Sequence, residues 1–175
     1  MSAKVTPAHL ERGAVVYVRQ WTLAQVTNHT ESRRRQYALA DSAREMGFAT
    51  VTVIDDDLGR SGSGLVERPG FEKLVANVCT DSIGAVFSIE ASRLARNGRD
   101  WHHLIDLCAL AGTVVIDHDG VYDPRLLNDR LLLGLKGTMS EYELSLLRQR
   151  GIAARDSKAK RGELRFALPP GLIRR

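Results

Sequence analysis

The sequence predicts an α/β protein: a mostly parallel central sheet with helices on both faces, followed by a long C-terminal helix. Short apolar runs of strand length alternate with amphipathic stretches of helix length, which is the pattern of a parallel sheet layered between helices. From about residue 125 to residue 160 the helical pattern continues without a strand. The unusual chemistry of the chain collects in the segments just past three of the strands, where sites form in open parallel sheets.

Strand one is the run Ala14–Val18, closed by Arg19, Gln20 and Trp21. A helix is expected at Glu31–Met46, ended by Gly47. Strand two is Thr50–Ile54, followed by the polar, glycine-rich loop DDDLGRSGSG at 55–64. Pro69 occupies a first-turn position of the next helix, with Phe71, Leu74, Val75 and Val78 on one face. Strand three is Ala85–Ile89, and EASRLARN follows it. A helix carrying Trp101, Leu104, Ile105, Leu107, Cys108 and Leu110 is stopped by Gly112, and strand four is Thr113–Ile116. In the long helix, Leu132, Leu135, Met139, Tyr142 and Leu146 fall at spacings of 3, 4, 3 and 4. That is an a/d seam, expected to form a subunit interface. Leu168-Pro169-Pro170-Gly171 ends the pattern and reads as a linker. The organisation expected is a core over 12–124, a long helix that carries the subunit interface over 125–162, and a basic linker over 163–175.

The 175 residues suit one domain with an extension, and 43% apolar with 26% charged residues is ordinary for a globular chain. No apolar stretch approaches the ~20 residues that span a bilayer. The N-terminus, MSAKVTPAHLERG, lacks the apolar core of a signal peptide. Cys79 and Cys108 have no metal-ligand spacing and read as two buried, reduced thiols, so a cytoplasmic location is expected. The net charge of +4 is unevenly placed. Residues 148–175 hold nine Lys or Arg against Asp156 and Glu163, a balance of +7, and residues 1–147 balance at −3. A nearly neutral body thus carries a basic tail, which is either a solvated end or a segment that lies on a polyanion.

Arg19, Arg93 and Arg96 follow strands one and three. An arginine presents a planar, permanently charged fork suited to phosphate oxygens. Three of them at one sheet end read as a phosphate site, and the competing assignment is ion pairing to Glu90, Asp55, Asp56 or Asp57. The 55–64 loop offers Ser61 and Ser63 among Gly59, Gly62 and Gly64. It is neither a P-loop nor a dinucleotide fingerprint. The five histidines have no ligand spacing, and neither H-E-x-x-H nor C-x-x-C occurs, so no metal site is expected. The absence of G-x-S-x-G argues against a hydrolase of that type.

Taken in order, Y-V-R-Q-x-T, D-x-x-x-S-G, R-P-G-F, S-R-L-A-R and a long helix with E-x-E and a later arginine resemble the catalytic domain of serine recombinases, over about residues 14–165. These are the resolvases, invertases and large serine integrases. S-R-L-A-R and the ending G-E-L-R-F-A-L-P-P-G resemble the large-recombinase branch. The resemblance implies a three-layer resolvase-like fold and a strand-one serine that attacks a DNA phosphodiester, leaving a 5′-phosphoserine link. It implies exchange without ATP, metal or other cofactor. Arg19, Arg93 and Arg96 match the family's active-site arginines, Ser61 the second-loop serine, Arg150 the helical arginine and Tyr17 the strand tyrosine. Asp57 is the nearest match to the loop aspartate, with Asp56 the other candidate, and Ser92 stands where small resolvases have aspartate. The implied partners are double-stranded DNA and further copies of the chain, a homodimer that becomes a tetramer in a synaptic complex. Arg148, Arg155, Lys158, Lys160, Arg161 and Arg165 are the expected DNA contacts, and sequence-specific reading is expected from domains after the long helix.

The family pattern is Tyr-x-Arg-x-Ser, and counting from Tyr17 and Arg19 the nucleophile position is Trp21. Indole has one N–H donor and no nucleophilic oxygen. Thr22 is one residue on and in a continuing strand would point to the opposite face. Ser61 is the other hydroxyl in reach of the argument. The expectation is a recombinase catalytic domain that is inactive as written, or alternatively a non-catalytic, recombinase-like module for DNA association or dimerisation.

Overall fold

A computed structural model describes residues 3–18, 30–57, 68–95 and 97–163. The elements run α1 (Pro7–Glu11), β1 (Ala14–Tyr17), α2 (Thr30–Glu45), β2 (Val51–Ile54), α3 (Pro69–Cys79), β3 (Ala85–Phe87), a 3-10 turn (Ala91–Arg93), α4 (Gly98–Ala111), β4 (Val114–Asp117), β5 (Gly120–Tyr122) and α5 (Leu127–Lys160). The sheet order is β2-β1-β3-β4-β5. The first four strands are parallel and β5 is antiparallel to β4. The chain leaves β1 for β2 on one side and then returns to β3 on the other. The carboxyl ends of β1 and β3 therefore flank the topological switch point, where a parallel sheet opens a crevice.

Side chains of a strand alternate between faces, and β1 shows both sides buried. Val15 and Tyr17 join one core with Leu74 and Val78 of α3 and Trp101, Leu104 and Cys108 of α4. Ala14, Val16 and Val18 join the other with Ala40 and Ala43 of α2 and Phe48. Helices thus cover both faces, as expected from the continuous apolar runs. Leu133 of α5 is fully buried in the first core.

Two compact units divide the chain, one through Ser140 and one from Glu141. In the first, Leu132, Leu135 and Met139 are exposed on α5. In the second, Tyr142 is exposed and Leu146 half-buried, and the helix closes on Gly162 at φ +70°.

Three readings of the sequence need correction. Cys79 is exposed, because it is the last residue of α3 and falls off the buried stripe; only Cys108 is buried, and burial pushes its thiol up to about 12. Strand three stops at Phe87 rather than Ile89, since the Ser88 hydroxyl donates to the Glu90 carbonyl at 2.6 Å and turns the chain. Strand four begins at Val114 and extends to Asp117. No helix among the described residues is long and apolar enough to cross a membrane.

Candidate active site

At the carboxyl end of β1, Tyr17 is 3% exposed and its hydroxyl donates to Asp57 Oδ2 at 2.5 Å. Asp57 lies past β2 and is 1% exposed. Its carboxylate also accepts the backbone N–H groups of Gly70 (3.1 Å) and Phe71 (3.0 Å), so it caps the first turn of α3. A carboxylate at that position is favoured by the unpaired amides and the helix dipole. Gly70 leaves room for the carboxylate, because an added Cβ would stand 3.0 Å from Asp57 Cγ and crowd it.

Arg68 completes the cluster and was given no role by sequence reasoning. It is 7% exposed. One Nη donates to the Tyr17 hydroxyl (3.0 Å) and to the Leu94 carbonyl (3.2 Å), and the other lies 3.4 Å from Asp100. Its guanidinium carbon stands 4.2 Å above the Phe71 ring. Its Nε is 3.7 Å from Asp57 Oδ2 and makes no hydrogen bond among the described residues. Its sequence signals were its place in the R-P-G-F motif, directly before the helix-opening Pro69, and its position after a run of three aspartates; neither gave it a role. Burial, with the Asp57 hydrogen bond, outweighs the nearby Arg68 charge and pushes the Tyr17 phenol up to about 12. Tyr17 is therefore neutral at neutral pH, a donor to Asp57 and an acceptor from Arg68.

The second loop of the crevice follows β3. Ser92 is half-buried and Arg93 exposed on the 3-10 turn. Arg93 Nε donates to Glu90 at 2.5 Å, so one of the ion pairs weighed against the phosphate reading does form. That pair is half-exposed on both sides and is worth little, so a phosphate that accepts from the guanidinium fork can displace it. Asp56 pairs with Lys73 at 2.8 Å, and Asp55 accepts from the Tyr37 hydroxyl at 2.5 Å, leaving Asp57 as the aspartate of the three that meets Tyr17.

Arg19, Trp21, Thr22, Ser61, Arg96 and Arg165 lie outside the described residues. Arg148, Arg150, Arg155, Lys158, Lys160 and Arg161 are all exposed in the second unit. Arg148, Arg155 and Lys158 are spaced to share a helix face. Among the described residues one group has donor atoms close enough for a metal, Asp117, His118 and Asp119. The Lys136 ammonium already sits between the two carboxylates, 2.9 Å from Asp117 and 2.5 Å from Asp119.

A parallel sheet of this order, with a buried tyrosine, aspartate and arginine at the switch point and a long terminal helix, is a resolvase-like α/β domain. Solved structures share it. The N-terminal catalytic domain of TP901-1 integrase matches with TM-score 0.52 and 24% identity, over 77% of this chain and 98% of that one. A resolvase family site-specific recombinase from Streptococcus pneumoniae matches with TM-score 0.55 and 21% identity, over 85% and 98%. The family model described as "Resolvase, N terminal domain" matches residues 14–164, and the chain belongs to that family. The uncharacterised protein y4bA/y4pH of Sinorhizobium fredii (strain NBRC 101917 / NGR234) is 51% identical over 175 residues. That alignment takes in 99% of this chain and 25% of the relative, so the chain spans about a quarter of the relative's length.

Proposed function

We propose that this chain is the catalytic domain of a site-specific serine recombinase in which Trp21 stands at the nucleophile position, so that it associates with duplex DNA and with further copies of itself but does not cut. The observation that carries the reading is the motif Tyr17-Val18-Arg19-Gln20-Trp21 in a chain of the resolvase family. Strand cleavage needs an oxygen that can attack phosphorus and remain bonded to it; indole offers none. The rest of the site supports a phosphate. Tyr17, Asp57 and Arg68 form a buried, hydrogen-bonded platform at the crevice, and Arg93 presents an exposed fork beside it in sequence order. Arginines of this kind stabilise charge that grows on phosphorus oxygens. The exposed Leu132, Leu135, Met139 and Tyr142 suit a helix-to-helix contact between copies, as a homodimer and, in a synaptic complex, a tetramer. The basic residues from Arg148 onward suit a DNA backbone.

Trp21 itself favours the second reading, a non-catalytic module that retains the fold, the helix and the basic arm. One experiment separates the two. The domain is joined to a DNA-binding domain of known site and incubated with DNA nicked near the crossover, as written and as Trp21→Ser, and covalent adducts are resolved on a denaturing gel. An adduct from Trp21→Ser alone is the expected result and marks a recombinase site that lacks only its nucleophile. An adduct from the chain as written would move the nucleophile to Thr22 or Ser61 and overturn the assignment of position 21. No adduct from either, with a resolvase-domain fusion active in parallel, would leave the non-catalytic module as the function.

A further inference from the structure

Asp117 ends β4 with a fully buried side chain that accepts four hydrogen bonds. Its Oδ2 accepts the Ala91 N–H at 3.1 Å, which is the first amide of the 3-10 turn bearing Ser92 and Arg93. The same oxygen accepts from Lys136 Nζ at 2.9 Å. Its Oδ1 accepts the N–H groups of Asp119 (2.9 Å) and Gly120 (3.2 Å) in the β4–β5 turn. Lys136, on α5, is 25% exposed at its side chain, also binds Asp119, and lies 5.2 Å from the Tyr122 ring centroid. Burial works against its charge, and the bonds to Asp119, Asp117 and Tyr122 outweigh it, so its pKa stands above the ordinary lysine value. The other titratable groups here are Asp119 and His118, which lies 3.1 Å from Asp119, and among the described residues the lysine is the cation that touches Asp117.

We propose that Asp117 and Lys136 are positioning residues: the pair locks the turn that presents Arg93, so that the arginine fork is held for a phosphate at the sheet's carboxyl end. This rests on the reading above that Arg93 meets a DNA phosphate. The physical reason is local. A buried carboxylate is tolerated where a cation and hydrogen-bond donors surround it, and Lys136 bonds the same oxygen that holds the Ala91 amide. Removing the ammonium leaves a buried carboxylate without its cation, which favours its turning toward water, and that loosens the turn.

The test uses the whole chain. Amide hydrogen exchange is followed in Lys136→Met, Lys136→Arg and Arg130→Met, the last removing the α5 arginine that pairs with Asp106 of α4 without touching the turn. Lys136→Met is expected to speed exchange at Ala91, Arg93 and Leu94 by about tenfold relative to β1 amides, as loss of one charge-assisted hydrogen bond predicts. Lys136→Arg should restore most of it, and Arg130→Met should leave the ratio unchanged. A uniform rise across the domain in Lys136→Met, or the same ratio in Arg130→Met, overturns the proposal. In the Trp21→Ser background, Lys136→Met should slow adduct formation about tenfold and Lys136→Arg should recover it; an unchanged rate also overturns it. If Trp21→Ser gives no adduct, the cleavage reading falls, and the exchange ratio alone decides whether the pair holds the turn.

Discussion

His9 is a buried imidazole whose partners require its neutral form. Its Nδ1 accepts the Thr6 N–H at 2.9 Å, and its Nε2 lies 3.0 Å from the Gly112 carbonyl, so the proton is assigned to Nε2. Burial lowers its pKa below 6.5, the Gly112 bond partly opposes that, and the Arg12 and Arg125 charges lower it further. The unfolded chain therefore binds a proton at a pH where the folded chain does not. The stabilisation is complete above 6.5 and is lost as pH falls from there through the folded value. The urea midpoint should drop between pH 7 and pH 5, at no more than about 1.4 kcal/mol per pH unit from this group. A His9→Gln chain should show a flatter profile over that window; an equally steep one would remove His9 as the cause. Two substitutions rank the contacts of the Tyr17–Asp57–Arg68 cluster. Tyr17→Phe removes one hydroxyl from two hydrogen bonds and should cost about 1–3 kcal/mol in urea unfolding. Asp57→Ala takes a carboxylate partner from an Arg68 side chain that is 8% exposed and both caps from α3, and should cost about 3–5 kcal/mol. The reverse order would mean that Arg68 is not held by Asp57.

The meeting of α4 and α5 turns on a glycine. Trp101 Nε1 donates to the Leu133 carbonyl at 3.1 Å, and a Cβ added at Gly137 would stand 2.3 Å from that nitrogen. Alanine is the better helix former by about 1 kcal/mol, but overpacking a buried indole costs roughly 1–3 kcal/mol. Gly137→Ala should therefore destabilise the first unit and shift Trp101 fluorescence, whereas Gly134→Ala, with open space around it, should not. A stabilised Gly137→Ala chain would mean that the indole can move freely. These elements also mark what the sequence made legible. Strands one to four and the helices between them were readable because continuous apolar runs and amphipathic stripes differ in period. α1, β5 and the 3-10 turn were missed because three to five residues carry no period. α1 did carry a signal in Thr6-Pro7, a cap followed by a first-turn proline. Asp57 and Arg68 both fall in motifs of the resemblance, yet their pairing was not legible, because a buried ion pair between residues 11 apart in loops leaves no periodic trace.

For the molecule as a whole, charge placement argues how it should meet DNA. The body balances at −3 and the segment from residue 148 at +7, so a field that would attract a duplex belongs to the tail. Six of its basic residues are exposed among the described residues, from Arg148 to Arg161. Arg161 also bonds Ser157 at 2.6 Å and Glu163 at 2.9 Å, contacts it would exchange for phosphate. Each phosphate neutralised contributes about 0.9 to the slope of log affinity against log salt. Five or six such contacts predict a slope of about −5, with affinity indifferent to base sequence because contacts to the phosphate backbone carry no sequence information. Arg155→Ala should reduce the slope by about 0.9 and weaken binding equally on duplexes of unrelated sequence. Fluorescence anisotropy on two such duplexes over a salt series measures both quantities. A slope near zero would make the tail a solvated end, and a preference for one duplex that survives at high salt would place base reading within this chain.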